Sequence, residues 1–96
     1  MLENFTMNWS VQIKEKAVKS LAKINRKDAE TIWHFLETEL PTMENTRQKG
    51  KALVGEFKGM WRYRIGNYRI ICEIQDKKVT VMVVEVEHRS KVYKLH

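Results

Sequence analysis

Apolar and polar residues alternate along Trp9-Ser10-Val11-Gln12-Ile13, the period of two that marks a half-buried strand. The period changes from about Lys14. Ala17, Val18, Leu21 and Ile24 fall at helical spacing, with Lys16, Lys19 and Lys23 between them. Asn25 has the chemistry of a helix cap and Asp28 sits in the first turn of a second helix. In that helix Ala29, Ile32, Trp33, Leu36 and Leu40 form an apolar stripe, and Pro41 ends it. So short a junction predicts an antiparallel helical hairpin. Trp33 and Phe35 read as core and partner surface rather than as a cofactor site, on the stripe spacing.

Residues 42–59 form a polar connection that contains Gly50, Gly55 and Gly59 together with Arg47, Lys49, Lys51 and Lys58. Part of it reads as a short helix, and connections of this length often carry function. Three strand-like runs follow. Met60–Ile65 and Tyr68–Gln75 flank Gly66-Asn67, and Val79–Val86 follows a turn at Asp76-Lys77-Lys78. The order β-α-α-β-β-β predicts an α+β domain, a two-helix hairpin packed on a mainly antiparallel four-stranded sheet. Residues 1–96 read as a single domain, with 1–6 a flexible extension ahead of Met7, an equally good start.

The hairpin carries most of the chemistry. With Gly66-Asn67 as its loop, Ile65 pairs with Tyr68, Arg64 with Arg69, and Arg62 with Ile71. Side chains alternate between faces, so Trp61, Tyr63, Ile65, Tyr68, Ile70, Cys72 and Ile74 share one face, the natural floor for the helices. Arg62, Arg64, Arg69, Ile71 and Glu73 share the other. Like charges opposite each other destabilise a sheet by roughly a few tenths of a kcal/mol up to one. A phosphate site gains from them, because guanidinium forks bind phosphate in bidentate fashion. The plainer alternative is a solvated face with Glu73 as partial counterion. Gly-Asn suits a II′ or I′ loop but specifies register less strongly than Asn-Gly, and a slip of one residue would undo the cluster.

Charge adds to this picture. Eighteen Lys and Arg against twelve Asp and Glu give a net charge of +6, and the pI is near 9.6. A basic domain of this size favours polyanions, nucleic acid first, over a merely soluble surface. No apolar run reaches the length of a membrane span, and the amino end lacks a signal-peptide pattern. The lone cysteine, Cys72, has apolar neighbours and reads as a buried thiol in a reducing cytoplasm. His34, His88 and His96 are scattered and no Cys/His spacing resembles a metal site, so neither metal nor cofactor is expected.

The stretch Leu53-Val54-Gly55-Glu56-Phe57-Lys58-Gly59-Met60-Trp61-Arg62-Tyr63-Arg64-Ile65-Gly66-Asn67-Tyr68-Arg69-Ile70-Ile71 resembles the core motif of RelE/ParE-superfamily toxins of type II toxin–antitoxin systems. Val86-Glu87-His88-Arg89-Ser90-Lys91-Val92-Tyr93 is similar to their closing motif, except that Glu87 stands where the family usually has glycine. The resemblance runs from about Trp9 to Tyr93 and is closest to the RelE branch. It implies a β-α-α-β-β-β fold and a toxin that cleaves mRNA in the ribosomal A site. The alternative is a ParE-like inhibitor of DNA gyrase without nuclease chemistry.

By the same resemblance Arg64, Arg69, Arg89 and Tyr93 are the catalytic positions and Arg62 binds RNA, while Lys58, Lys51 and Lys49 of the basic connection are expected to bind RNA alongside it. Some members carry lysines on the second strand that serve in proton transfer. Arginine keeps its proton, so His88 becomes the titratable candidate for the base, unless strand alternation turns it away from Arg89. The implied partners are a cognate antitoxin, the ribosome and mRNA, with no membrane. The toxin itself is expected to be a monomer that joins a higher-order complex with an acidic or amphipathic antitoxin segment.

Overall fold

In the computed structural model, which describes residues 8–90, the alternating run near the start becomes strand β1 (Ser10–Ile13). Helix α1 (Glu15–Lys23) buries Ala17 and Leu21 and leaves Lys16, Lys19 and Lys23 exposed. Helix α2 (Arg26–His34) opens on the expected cap. The Asn25 side chain accepts the Asp28 N–H at 2.9 Å and donates to the Asp28 carboxylate at 2.8 Å. Such a cap is worth about 1 kcal/mol.

The second helix does not run evenly to Pro41. Beyond His34 it widens into a π turn over Phe35–Glu39, where the Leu40 N–H reaches the Phe35 carbonyl, and then tightens into a 3-10 turn over Leu40–Thr42. Proline cannot donate to the preceding turn, so Pro41 sits inside a terminal turn that needs no such donor. The change of pitch still carries Phe35, Leu36 and Leu40 into the core.

Four further strands follow: β2 (Lys51–Ala52), β3 (Trp61–Ile65), β4 (Tyr68–Gln75) and β5 (Thr80–His88). They form one sheet in the order β1-β5-β4-β3-β2. The strand count therefore corrects the expectation of four. The added strand is only two residues long, too short for alternation to reveal, and it pairs Lys51 with Arg62 and Ala52 with Trp61. β1 lies parallel to β5, and every other neighbouring pair is antiparallel. An irregularity between Ile71 and Cys72 sets Ile71 opposite Glu85 but Cys72 opposite Val83, so Val84 is the extra residue of a bulge.

The core fills the space between the helices and one face of the sheet. Ala17, Leu21, Ile32, Phe35, Leu36 and Leu40 meet Tyr63, Tyr68, Ile70, Cys72, Val81, Val83 and Val86 there. The Phe35 and Tyr63 rings lie 5.3 Å apart in a tilted contact. The connection ahead of β3 is pinned rather than loose. Tyr63 donates its hydroxyl to the Thr46 carbonyl, and Trp61 donates its indole N–H to the Lys49 carbonyl at 2.8 Å. Arg47 makes a two-pronged ion pair with Asp76, at 2.8 and 2.9 Å, while lying 5.9 Å from the Trp61 ring centre.

Candidate functional site

The β3–β4 hairpin has the register that its loop predicts: Ile65 faces Tyr68, Arg64 faces Arg69, and Arg62 faces Ile71. Gly66 has φ +58°, whereas Asn67 is not left-handed, which is the dihedral pattern of a II′ turn. A two-residue loop makes Ile65–Tyr68 the hydrogen-bonded closing pair. Arg64–Arg69 is then a pair without backbone hydrogen bonds between its members, the kind in which Cα atoms approach to about 4.5 Å and side chains stand closest.

Cross-strand partners share a face, so the pairing lays out two rows. One runs Lys51–Arg62–Ile71–Glu85 from β2 to β5, and the next runs Arg64–Arg69–Glu87. The face is therefore polarised. Its β2–β3 side carries Lys51, Arg62 and Arg64, its β5 side carries Glu85 and Glu87, and Arg69 stands at the boundary. Glu85 also receives Lys16 from α1, at 3.4 Å. Glu87, the residue that departs from the family motif, is buried directly opposite Arg69. The motif alone does not place Glu87, because the register of β5 depends on the bulge at Val84.

Arg62 supplies a further observation. Its Nε is buried and has no hydrogen-bond partner among the described residues. An unmet buried donor costs about 1–3 kcal/mol, a cost that an arriving acceptor removes. Arg62 also lines a pocket of about 270 Å³, together with Phe35, Tyr63 and Ile65 and with Lys49, Gly50, Lys51 and Arg64. Its lining holds no carboxylate, so its field favours an anion. Phe35 enters this lining from the π turn, a contact that helical spacing alone does not indicate.

The remaining expected residues divide. The Arg69 Nη2 donates to the Arg89 carbonyl at 3.0 Å, which places the backbone of Arg89 beside the arginine pair. Lys49 and Lys51 line the pocket. Lys58 is exposed just after a 3-10 turn at Gly55–Phe57 and lies outside both rows and the pocket lining. His88 pairs with Tyr68 and meets its ring edge-on at 5.2 Å, so it belongs to the helix face and not to the arginine face. Strand alternation has turned it away. Tyr93 and residues 1–6 lie outside the described residues.

Two buried acids lie behind this surface. Burial pushes the Tyr63 phenol and the Cys72 thiol well above their ordinary values, so both stay neutral in the core. The Arg47 guanidinium holds the Asp76 carboxyl below the usual carboxylate range, and Asp76 in turn raises Arg47. Arg47 is thus engaged in anchoring the connection. No helix among the described residues is long and apolar enough to cross a membrane.

Comparison with known proteins follows the same lines. The family of ParE toxins of type II toxin–antitoxin systems matches residues 11–93. Toxin RelE of Mycobacterium tuberculosis is 26% identical over 88 residues, covering 92% of this chain and 89% of that one. Toxin RelG of the same organism is 38% identical over 45 residues, 47% of this chain and 52% of its own length, so the match spans about half of that relative. Among solved structures, the RelBE2 toxin–antitoxin complex of M. tuberculosis contains a chain that superposes with a TM-score of 0.78 at 25% identity, over 93% of this chain and 100% of that one. The isolated E. coli RelE toxin shares the fold at a TM-score of 0.63 and 19% identity, over 88% and 87% of the two chains.

Proposed function

We propose that this chain, which belongs to the ParE toxin family of type II toxin–antitoxin systems, is a RelE-like toxin that cleaves mRNA on the ribosome and is neutralised by a cognate antitoxin. The observation that carries this reading is the Arg64–Arg69 pair, two guanidiniums set across a sheet with Lys51 and Arg62 in the adjoining row. Glu87 offsets charge on the Arg69 side of that row, while Lys51, Arg62 and Arg64 keep the β2–β3 side basic, the side suited to a phosphate.

The reaction that suits it is in-line attack of a ribose 2′-hydroxyl on the adjacent phosphate. The hydroxyl loses its proton, charge accumulates on the phosphorane, and the leaving oxygen gains a proton. Arg64 and Arg69 meet the phosphorane charge, Arg62, Lys51 and Lys49 guide the strand, and Arg89 serves the leaving group. Tyr93 stacks on a base at the scissile step, as the family motif suggests. Orientation by the ribosome supplies much of the rate. That division of labour leaves the proton acceptor outside the arginine rows.

Expression of the chain without antitoxin should stop labelled amino-acid incorporation before thymidine incorporation. Loss of thymidine first would overturn the reading and favour the gyrase-directed alternative that the ParE name brings with it. Arg69→Ala and Arg64→Ala should each relieve growth arrest while the domain stays folded. Full toxicity in both folded variants would reject the site. Free toxin should cut naked RNA poorly.

A further inference from the structure

His88 ends β5 with a local arrangement of its own. The backbone N–H of Ser90 donates to His88 Nδ1 at 3.1 Å, and the Ser90 hydroxyl lies 2.7 Å from the same nitrogen. The backbone N–H needs the Nδ1 lone pair, so the neutral ring carries its proton on Nε2. The ring is steadied on its other side by the edge-on contact with Tyr68. A nitrogen committed in this way, on the helix face, is poorly placed to take a proton from RNA on the arginine face.

The turn it closes is nevertheless tied to the site. Arg89, the residue between His88 and Ser90, donates its N–H to the Asn67 carbonyl at 2.7 Å, and its own carbonyl accepts Arg69 Nη2 at 3.0 Å. The backbone from 88 to 90 is therefore held at three points: to the hairpin loop, to the Arg69 guanidinium and to the His88 ring. Of these, the ring is the one that fixes the bend after Arg89.

We infer that His88 is a positioning residue: by accepting from Ser90 through Nδ1 it locks the Arg89 carbonyl where it orients the guanidinium of Arg69. The role in cleavage rests on the proposed endonuclease function, whereas the local geometry does not. Asparagine places an acceptor, Oδ1, at the reach of Nδ1, and glutamine places its polar atoms one bond farther out. The two substitutions therefore separate a turn-capping role from an acid–base one.

Three variants, His88→Asn, His88→Gln and His88→Ala, are to be compared for ribosome-dependent mRNA cleavage, for its pH profile, and for two NMR signals, exchange of the Ser90 amide and the Nε–Hε resonance of Arg69. The Asn variant should keep slow Ser90 exchange, the Arg69 resonance and cleavage close to the parent level. Gln and Ala should speed Ser90 exchange, broaden the Arg69 signal and cut the rate by about tenfold, the scale of one lost hydrogen bond expressed in kinetics. Loss of activity in all three, together with loss of the acidic limb of the pH profile, where rate rises as the base loses its proton, would instead make His88 the base and overturn the inference. Unchanged Ser90 exchange in a folded His88→Ala variant would overturn it as well. If the parent chain proves inert on ribosomes, the endonuclease reading fails, and the two NMR signals still decide the positioning role.

Discussion

Single residues hold this site at its tightest point. Gly50 has φ +89°, and a Cβ there would fall 2.4 Å from the Arg62 carbonyl and 2.5 Å from the Trp61 indole nitrogen. Gly66 also has positive φ, yet nothing lies within 4 Å of its Cβ position. Gly66→Ala should therefore cost about 1 kcal/mol, the left-handed penalty alone. Gly50→Ala should cost about 2 kcal/mol or more and displace Lys49 and Lys51 from the pocket lining. Denaturant titrations of the two variants check the order. Cys72 and Tyr63 give a second expectation. Their folded values are raised, so the unfolded chain releases protons first, above about pH 8.5 and pH 10. Stability is full below that window and falls as pH rises, at up to about 1.4 kcal/mol per pH unit for each group. In Cys72→Ala the decline should begin only near the tyrosine range, which unfolding midpoints between pH 7.5 and 10.5 would show.

Among the elements, the connection before β3 behaves as a clasp. Arg47 joins it to Asp76 at the far end of β4 and leans on Trp61. Because the Asp76 carboxyl is held down by Arg47, its contribution is present above the ordinary carboxylate range near pH 4 and is lost as pH falls through its folded value. Asp76→Asn should accordingly lower the melting temperature at pH 7, with the gap closing as pH falls below the usual carboxylate range. The elements also show what the sequence made legible. Both helices, the cap at Asn25 and the hairpin register followed from period, cap chemistry and a Gly-Asn loop, because each signal is local. β2 escaped because two residues cannot display alternation, and the π turn escaped because its pitch departs from the helical wheel. The position of His88 depended on a long-range register, that of β5 on β4, which pattern alone does not set.

At the scale of the molecule, the proposed function and the polarised sheet face together predict RNA binding that is salt-dependent in a residue-specific way. Each single-strand phosphate neutralised contributes about 0.7 to the slope of log affinity against log salt. Arg64→Ala should reduce that slope by about 0.7, while Lys58→Ala, outside the rows, should change it less. Fluorescence anisotropy of a short single-stranded RNA across a salt series measures both. The parallel pairing of Ser10–Ile13 with Thr80–Val83 has a consequence of another kind. Among the described strands β1 has no neighbour until β5 is made, and closing a loop of that length costs about 4 kcal/mol in chain entropy. A nascent chain that stops short of Thr80 keeps β1 unpaired and β4 with an open edge, and it lacks Glu85, Glu87 and Arg89. Premature stop codons and stalled messages before Thr80 should thus yield inert, readily degraded fragments, so that toxicity is switched on only once translation has passed β5.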